Sequence, residues 1–501
     1  MPNSQILAID QGTGSTKALV IDADSKVVSI SQAPVSISAP QPGWVEQDAE
    51  EIWGSVLRAV QDALDSEKAK NIAAVGFSNQ RESCVIWDRR TGEALSPVLS
   101  WQDKRAESLC SDIEAAGHAD TVRSRCGLPL DPMFSAAKAR WLLDRIPQGQ
   151  QRAKAGDICI GTIDSFILSR FGGDAVIEAG NASRTQLLNV VEGRWDEDLL
   201  EIFNIPLAAL PRVVGSTGPF PNIRGLAPLA DGTPIGAVLA DSHSALFAHG
   251  ALAPGLVKAT HGTGSSVMGL VDREMVVDGQ AGAPGVCLTI AWQIDKPALA
   301  YEGVNRSSGS TLVWVAELLG ISVDELAVLA STVPNSQGVS LVPAFSGLAA
   351  PWWDPGACAI ASGFSFGVTR APFARAAIDS IAHQIADVIE AFRASGAPVE
   401  RMLVDGGPTR NNQLLQFEAD IMGVPVERSP VAELSALGAA QLAGVSAGLF
   451  TLDALAKLDR GTERFSPHFD TRARLEERDQ WVRAVARSRG LPVTSSRQQA
   501  Q

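Results

Sequence analysis

Residues 10–17 read Asp10-Gln11-Gly12-Thr13-Gly14-Ser15-Thr16-Lys17, and the apolar runs Ile6–Ile9 and Ala18–Ile21 flank them. This pattern predicts a strand, a tight turn and a second strand. Glycines and small hydroxyl residues let backbone N–H groups come close to a bulky anion. The acid at the start and the cation at the end suit a phosphate with a metal ion. An ordinary glycine hairpin would have the same local pattern.

A second stretch in the other half of the chain repeats this pattern. Residues 257–268 contain Gly262-Thr263-Gly264-Ser265 between strand-like flanks. Two such turns, each followed by mixed helix and strand patterns, predict an α/β protein of two similar domains with a nucleotide cleft between them. We expect an N-terminal domain over residues 1–246, a C-terminal domain over 247–488 and a flexible tail over 489–501. The cleft should close during reaction, because water competes as a phosphoryl acceptor.

The composition limits the partners of this protein. A net charge of −14 over 501 residues disfavours nucleic acid and anionic membranes as partners. No apolar run has membrane-spanning length and no signal segment is evident, so we expect a cytoplasmic protein. The six cysteines are widely separated, which predicts reduced, structural thiols. His243, His249 and His261 do not have the spacing of a standard zinc site.

Polar residues follow three predicted strands at the points where those strands end. Ile72–Ser78 leads into Arg81 and Glu82, another strand leads into Trp101, and the strand 234–240 stops at Asp241. Open α/β sheets bind ligands at such strand ends. Because neighbouring side chains on a strand alternate, we expect Arg81 and Glu82 to point apart. Taken alone, Trp101 would also fit a core position and Asp241 a helix N-cap.

Seven ordered motifs now make the chain recognisable. They are Asp10-Gln11-Gly12-Thr13, Pro42-Gly43-Trp44-Val45-Glu46, Asn79-Gln80-Arg81-Glu82, Asn181-Ala182-Ser183-Arg184-Thr185, Gly262-Thr263-Gly264, Pro351-Trp352-Trp353-Asp354-Pro355 and Asp405-Gly406-Gly407. The fourth is expected to be a polar loop. With these motifs the chain resembles the FGGY carbohydrate kinases, and within them the glycerol kinases, from Ile6 to about Val482. The resemblance implies an actin-like, ribonuclease-H-like fold in both domains, ATP and Mg²⁺, a small polyol or sugar substrate, and a homodimer or homotetramer.

The resemblance also implies roles around the nucleotide. Asp10 would hold the magnesium ion through water. Lys17 stands where glycerol kinases usually carry Arg, which keeps the charge and loses the bidentate fork. Val313 stands where they place a Gln near the nucleotide. The residues expected to face the phosphates are Thr13, Gly14, Ser15, Lys17, Gly262, Thr263 and Gly264, and those expected to line the adenosine site are Gly309, Gly407 and Asn411.

Catalysis and acceptor binding are implied in the same way. Asp241 would be the general base that accepts the proton of the attacking hydroxyl. The acceptor would contact Arg81, Glu82 and Trp101. Three further acceptor positions differ from glycerol kinases. This chain has Met133 in place of a Tyr, Ser242 in place of a Gln and Ser266 in place of a Phe. We therefore expect a wider pocket and, as the acceptor, a four- or five-carbon polyol or a ketose, while glycerol remains the leading single compound by overall likeness.

Three alternatives and one regulatory expectation remain. The enzyme could be a glycerol kinase proper, a non-kinase ATPase of the actin-like superfamily, or a degenerate binding protein. Retention of Asp10, Asp241 and both glycine turns speaks against the last. Some bacterial glycerol kinases bind an allosteric sugar bisphosphate through a Gly-Gly-Thr-Arg loop, and the corresponding stretch here, Asp231-Gly232-Thr233-Pro234, lacks the Arg. We therefore expect no inhibition by fructose bisphosphate.

Overall fold

A computed structural model describes residues 4–66, 68–276 and 284–492. It has a two-domain α/β architecture, as predicted, with one large mixed sheet in each half of the chain. The predicted tail 489–501 lies outside the described residues from residue 493 onward. The predicted division between residues 246 and 247 stays a prediction.

The first half of the chain alternates strands and helices. Its strands are β1 (Gln5–Gln11), β2 (Ser15–Ile21), β3 (Val27–Pro34), β4 (Glu46–Gln47), β5 (Ile72–Asn79), β6 (Cys84–Asp88), β7 (Val98–Leu99), β8 (Ile158–Thr162), β9 (Val176–Glu178), β10 (Leu188–Asn189), β11 (Arg194–Trp195), β12 (Arg212–Val214) and β13 (Ile235–Ala240). Its helices are α1 (Ala49–Leu64), α2 (Glu107–Ala115), α3 (Ala119–Cys126), α4 (Ser135–Leu143), α5 (Gly149–Ala155), α6 (Ile163–Ser169), α7 (Ala179–Ser183), α8 (Glu197–Phe203) and α9 (Asp241–Ala248).

The second half continues in the same manner. Its strands are β14 (Gly255–His261), β15 (Ser265–Val271), β16 (Cys287–Gln293), β17 (Pro297–Asn305), β18 (Ser340–Val342), β19 (Ile360–Ser362), β20 (Val399–Asp405), β21 (Val426–Arg428) and β22 (Glu463–Phe465). Its helices are α10 (Gly309–Leu319), α11 (Val323–Ser331), α12 (Arg370–Ala394), α13 (Asn412–Met422), α14 (Leu434–Ser446), α15 (Leu452–Ala456) and α16 (Thr471–Ser488).

The first large sheet has the strand order β13-β5-β1-β2-β3. β1 and β2 form the predicted hairpin around the first glycine turn, with Asp10 opposite Lys17. β5 and β13 run parallel to β1, and Asn79 lies opposite both Gln11 and Ala240. The carboxyl ends of these three strands therefore meet at one edge of the sheet, where open α/β sheets bind ligands.

The second large sheet repeats this arrangement at its centre, in the order β16-β17-β15-β14-β20-β21-β22. β14 and β15 enclose the second glycine turn, with His261 opposite Ser265. β20 runs parallel to β14 and places Asp405 opposite Thr260. Both halves thus present a hairpin turn beside the carboxyl end of a parallel strand.

Helix α14 joins the two halves. It lies in the second half of the sequence but packs against β1, β5, β13 and α9 of the first. Small residues permit the close approach. A Cβ on Gly438 would overlap the carbonyl oxygen of Ser244, and one on Gly76 would overlap that of Ala439.

The predicted helix cap at Asp48 is confirmed, and the predicted loop at Asn181 is wrong. Asp48 caps α1 by accepting from the Glu51 N–H at 2.8 Å, as expected. The motif Asn181–Thr185 is not a simple polar loop, because its first residues belong to α7. The buried Glu178 carboxylate accepts from the Asn181 N–H at 2.8 Å and so caps that helix. All six cysteines are free thiols, and five of them are buried. Among the described residues, no helix combines the length and apolar character needed to cross a membrane.

Candidate active site

The first glycine turn closes on itself and contacts the second half of the chain. The Gly12 N–H donates to the Ser15 carbonyl at 2.9 Å. The Lys17 ammonium lies 2.6 Å from Glu433, at the start of α14, and both side chains are about a quarter exposed. Lys17 is therefore held at the boundary between the two halves while remaining open to solvent.

Asp10 is the carboxylate at the end of β1 that the sequence assigns to a metal ion. Its Oδ1 is buried and has no partner of good hydrogen-bond geometry among the described residues, although the Ser78 hydroxyl lies beside the carboxyl and partly opposes the rise of its pKa. Burial, together with the nearby negative charge of Asp241, raises the pKa of Asp10 to about 6. A buried carboxylate oxygen with an unused lone pair fits a divalent cation or one of its water ligands. Within the described residues, no group of three or more His, Cys, Asp or Glu side chains forms a cluster that could hold a metal ion.

A buried network of charges lies beside the end of β5. Arg81 binds Glu302 through two nitrogens, with Nη2 2.8 Å from Oε1 and Nη1 3.0 Å from Oε2. Arg184 contacts the same carboxylate at 2.8 Å and donates from Nε to Glu82 Oε1 at 2.7 Å. The two guanidinium groups hold the pKa of Glu302 well below its usual range. Because Glu302 lies in β17 and both arginines lie in the first half, this network connects the two halves.

The expectation that Arg81 and Glu82 point apart is wrong. Arg81 Nε lies 3.7 Å from Glu82 Oε1. Glu82 has a φ of +60°, so the chain turns sharply directly after Arg81 instead of continuing as a strand. Both residues are buried, and the Glu82 carboxylate contacts Arg184 as well as Arg81.

Asp241 occupies the first position of α9, directly after β13. Its Oδ1 lies 3.3 Å from Arg81 Nε and accepts from the Ser242 N–H at 2.5 Å. The side chain is 37 % exposed, so it faces the cleft rather than the core. Desolvation raises the pKa of Asp241, and the neighbouring Arg81 opposes that rise. A carboxylate at this edge, near Asp10 and bound by a cation, can accept a proton from a ligand in the cleft.

The predicted acceptor residues and the first glycine turn lie together. Trp101 is 37 % exposed and donates from Nε1 to Thr13 Oγ1 at 3.0 Å, so it is not a core residue. Ser266 lies in β15 and donates to Glu302 Oε1, in the buried charge network, at 3.1 Å. The Met133 carbonyl accepts from Lys138 Nζ at 2.6 Å, and the same ammonium donates to the Ser100 carbonyl at 3.0 Å.

The second glycine turn lies against the residues assigned to the adenosine site. The Gly309 N–H donates to the Gly262 carbonyl at 3.0 Å, and a Cβ on Gly309 would come within 2.6 Å of that oxygen. Gly407 begins a short 3₁₀ helix, separated from the end of β20 by Gly406. The Asn411 side chain caps α13 by accepting from the Gln413 N–H at 2.9 Å. Asn411 therefore has a structural role as a helix cap, in addition to the predicted role in the adenosine site.

Three charged residues of the site were not singled out by sequence reasoning. Arg184 belongs to a quoted motif but received no role, and neither Glu302 nor Lys138 belongs to any of the seven motifs. Arg184 had a signal, since a cation within a motif otherwise made of small and polar residues indicates a bound anion. Glu302 had none, because its partner Arg81 is 221 positions away.

Comparison with known proteins agrees with this geometry. The model for the N-terminal domain of the FGGY family of carbohydrate kinases matches residues 5–248, and that for its C-terminal domain matches residues 257–447. An apulose kinase from Pectobacterium atrosepticum is 41 % identical over 498 residues, which cover 97 % of this chain and 99 % of the relative. A glycerol kinase from Trichlorobacter lovleyi is 41 % identical over 496 residues, with the same coverage.

Solved structures agree as well. The crystal structure of Plasmodium falciparum glycerol kinase with ADP superposes with a TM-score of 0.90 at 30 % identity and covers 97 % of this chain and 98 % of that chain. A xylulose kinase from Lactobacillus acidophilus, with a TM-score of 0.87 at 22 % identity, shows likeness of fold alone.

The class of protein follows from the two matched domains and from relatives aligned along nearly their whole length. The chain belongs to the FGGY family of carbohydrate kinases. It is an enzyme that phosphorylates a hydroxyl of a small polyol or sugar with ATP.

Proposed function

We propose that this kinase acts on a four- or five-carbon ketose or polyol rather than on glycerol, with Asp241 as the general base. The observation that carries the assignment of the general base is the position of Asp241. Its carboxylate lies at the cleft edge of the first sheet, 3.3 Å from Arg81 and beside Asp10. The attacking hydroxyl loses its proton to Asp241 as its oxygen bonds to the γ-phosphorus of ATP. The bond from that phosphorus to the bridging oxygen breaks, and ADP leaves.

The side chains at three of the acceptor positions support an acceptor larger than glycerol. Met133 and Ser266 stand where glycerol kinases carry aromatic rings, and Ser242 is shorter than their Gln. Ser266 and Ser242 are half-buried, and Ser266 contributes only a hydroxyl to Glu302. A site that hydrogen-bonds each substrate hydroxyl discriminates strongly, so these changes alter acceptor choice. The apulose kinase among the relatives supports a ketose, and apulose is the first ketose to test.

Mg²⁺ is the metal ion that we infer for this reaction. The buried Oδ1 of Asp10 without a partner supports this assignment. When bound, Mg²⁺ neutralises charge on the phosphate oxygens. Asp10 would hold the ion or one of its water ligands, while Lys17 and the N–H groups of both glycine turns would bind the phosphates.

The test is an ATP-coupled assay of the purified enzyme over three- to six-carbon polyols and ketoses, with apulose included. We expect kcat/KM for a four- or five-carbon compound to exceed that for glycerol by at least tenfold. An Asp241→Asn variant serves as the control for coupled background. If glycerol gives the highest kcat/KM, the enlarged-pocket proposal fails and the enzyme is a glycerol kinase.

Three further expectations belong to this proposal. We expect no inhibition by fructose bisphosphate, which initial rates at saturating ATP with and without the effector would check. We also expect a homo-oligomer located in the cytoplasm. Size-exclusion chromatography with light scattering tests the oligomeric state, and cell fractionation tests the location. The family match argues against the alternative of a non-kinase ATPase.

A further inference from the structure

An ion pair crosses the cleft beside the predicted acceptor pocket. Arg306, in the short loop between β17 and α10, places Nη2 3.3 Å from Asp131 Oδ2. Asp131 lies in the loop between α3 and α4, two residues before Met133. The side chains are 34 % and 20 % exposed, so the pair lies at the rim of the cleft.

Asp131 orders the loop that carries Met133. Its other oxygen, Oδ1, accepts from the Met133 N–H at 2.8 Å. One carboxylate therefore both fixes the turn that presents Met133 and contacts a cation from the other half of the chain. The Asp131 side chain thus links the Met133 backbone to Arg306.

The Arg306 side chain also contacts the loop after β18, and its backbone lies against the second glycine turn. Its Nη1 donates to the Ser346 carbonyl at 2.7 Å. A Cβ on Gly264 would overlap the carbonyl oxygen of Asn305 and lie 3.3 Å from the carbonyl carbon of Arg306. The backbone that carries Arg306 therefore packs directly against the turn assigned to the nucleotide phosphates, and the Ser308 N–H, two residues later, donates to the Thr263 carbonyl of that turn at 2.9 Å.

We propose that Arg306 is a positioning residue for the acceptor, which holds the Met133 loop in place through Asp131 and aligns it with the second glycine turn. This inference rests on the proposed function for the assignment of Met133 to the acceptor pocket. Neither Arg306 nor Asp131 has a part in the chemical step. Loss of the ion pair should therefore weaken acceptor binding while leaving turnover unchanged at saturation.

Two single variants isolate the ion pair. Arg306→Gln removes the cation, and Asp131→Asn removes the negative charge but keeps an amide oxygen for the Met133 N–H. Partly exposed ion pairs contribute modestly, so we expect each variant to raise the acceptor KM about two- to fivefold. We expect kcat and the ATP KM to stay within about twofold of wild type, and Arg306→Lys to restore the acceptor KM.

The double variant Arg306→Gln/Asp131→Asn decides between a shared and a separate role. If the two residues act through one contact, its acceptor KM equals that of the more affected single variant. Arg472→Gln, in an exposed pair with Glu476 on α16, is the matched control and should behave as wild type. Thermal melts of all variants should match, since the pair is partly exposed.

Multiplicative effects in the double variant, or single variants whose acceptor KM is unchanged, would overturn the inference. The measurement uses whichever acceptor has the highest kcat/KM in the panel. A panel won by glycerol thus overturns the proposed acceptor class but still permits the double-variant test. The two failures are therefore distinguishable.

Discussion

Glu302→Gln is the substitution whose cost follows most directly from the structure. The Glu302 carboxylate is fully buried between Arg81 and Arg184, with nitrogen–oxygen distances of 2.8 to 3.0 Å. Removing its charge leaves two buried guanidinium groups whose remaining carboxylate contacts, within the described part of the chain, are Glu82 and Asp241. Removing one partner of a buried ion pair costs about 3 to 5 kcal/mol. We expect a loss of stability of that size.

The assay is equilibrium urea unfolding, with thermal melts as a second measurement. The slope of the free energy against urea must be unchanged for the midpoints to be compared. Glu433→Gln is the matched control, because it makes the same chemical change in the Lys17 pair, which is about a quarter exposed. We expect the control to lose at most about 1 kcal/mol.

The pH dependence gives an independent check. The pKa of Glu302 is lower in the folded protein than its value of 4.5 in the unfolded chain. The stabilisation is therefore present above about pH 4.5 and is lost as the pH falls further. The difference between wild type and Glu302→Gln should shrink below that pH. A difference of less than 1 kcal/mol at pH 7, or one that grows in acid, would refute the reasoning.

Three other predictions concern the site directly. Asp10→Asn should stabilise the metal-free protein by about 2 to 3 kcal/mol at pH 8. The pKa of Asp10 rises from 3.8 to about 6 on folding, so above pH 6 the folded protein holds an ionised carboxylate that is less stable there than in the unfolded chain. Thermal melts should show this gain at pH 8 and not at pH 4, and a lower melting temperature at pH 8 contradicts it. Asp241→Asn should lower kcat by about 10²- to 10⁴-fold with ATP binding intact in calorimetry, and normal turnover rules out the base. Met133→Tyr combined with Ser266→Phe should shift the kcat/KM ratio at least tenfold toward glycerol in the acceptor panel, and an unchanged ratio means that these positions do not set acceptor size.

The location of the site could be predicted from the sequence because it depends on local patterns. The apolar runs of β1, β5 and β13 each stop at a polar residue, and parallel strands gather those ends at one edge. The proximity of Asp10, Arg81 and Asp241 could therefore be predicted from the sequence. The turn chemistry of Gly262–Gly264 was equally readable, because glycine and hydroxyl residues have a direct conformational meaning.

The charge network could not be predicted in the same way. The pairing of Arg81 with Glu302 depends on how the two sheets face each other, and nothing within either strand specifies it. The left-handed backbone at Glu82 was also hidden, because a glutamate does not indicate a positive φ. The helix at Asn181 depends on a cap from Glu178, whose burial is a tertiary property.

The packing of α14 has a consequence for synthesis on the ribosome. The strands β1, β5 and β13 are complete once Ala240 has emerged, but the helix that covers them begins only at Leu434. At a translation rate of about 5 to 20 residues per second, α14 is synthesised roughly 10 to 40 s after the apolar face of the first sheet that it covers. During that interval α14 cannot cover Ala74, Ala237 and Leu239, which belong to one apolar cluster with its residues in the folded protein. Chaperone demand should therefore be greatest for chains stalled or truncated between these two points.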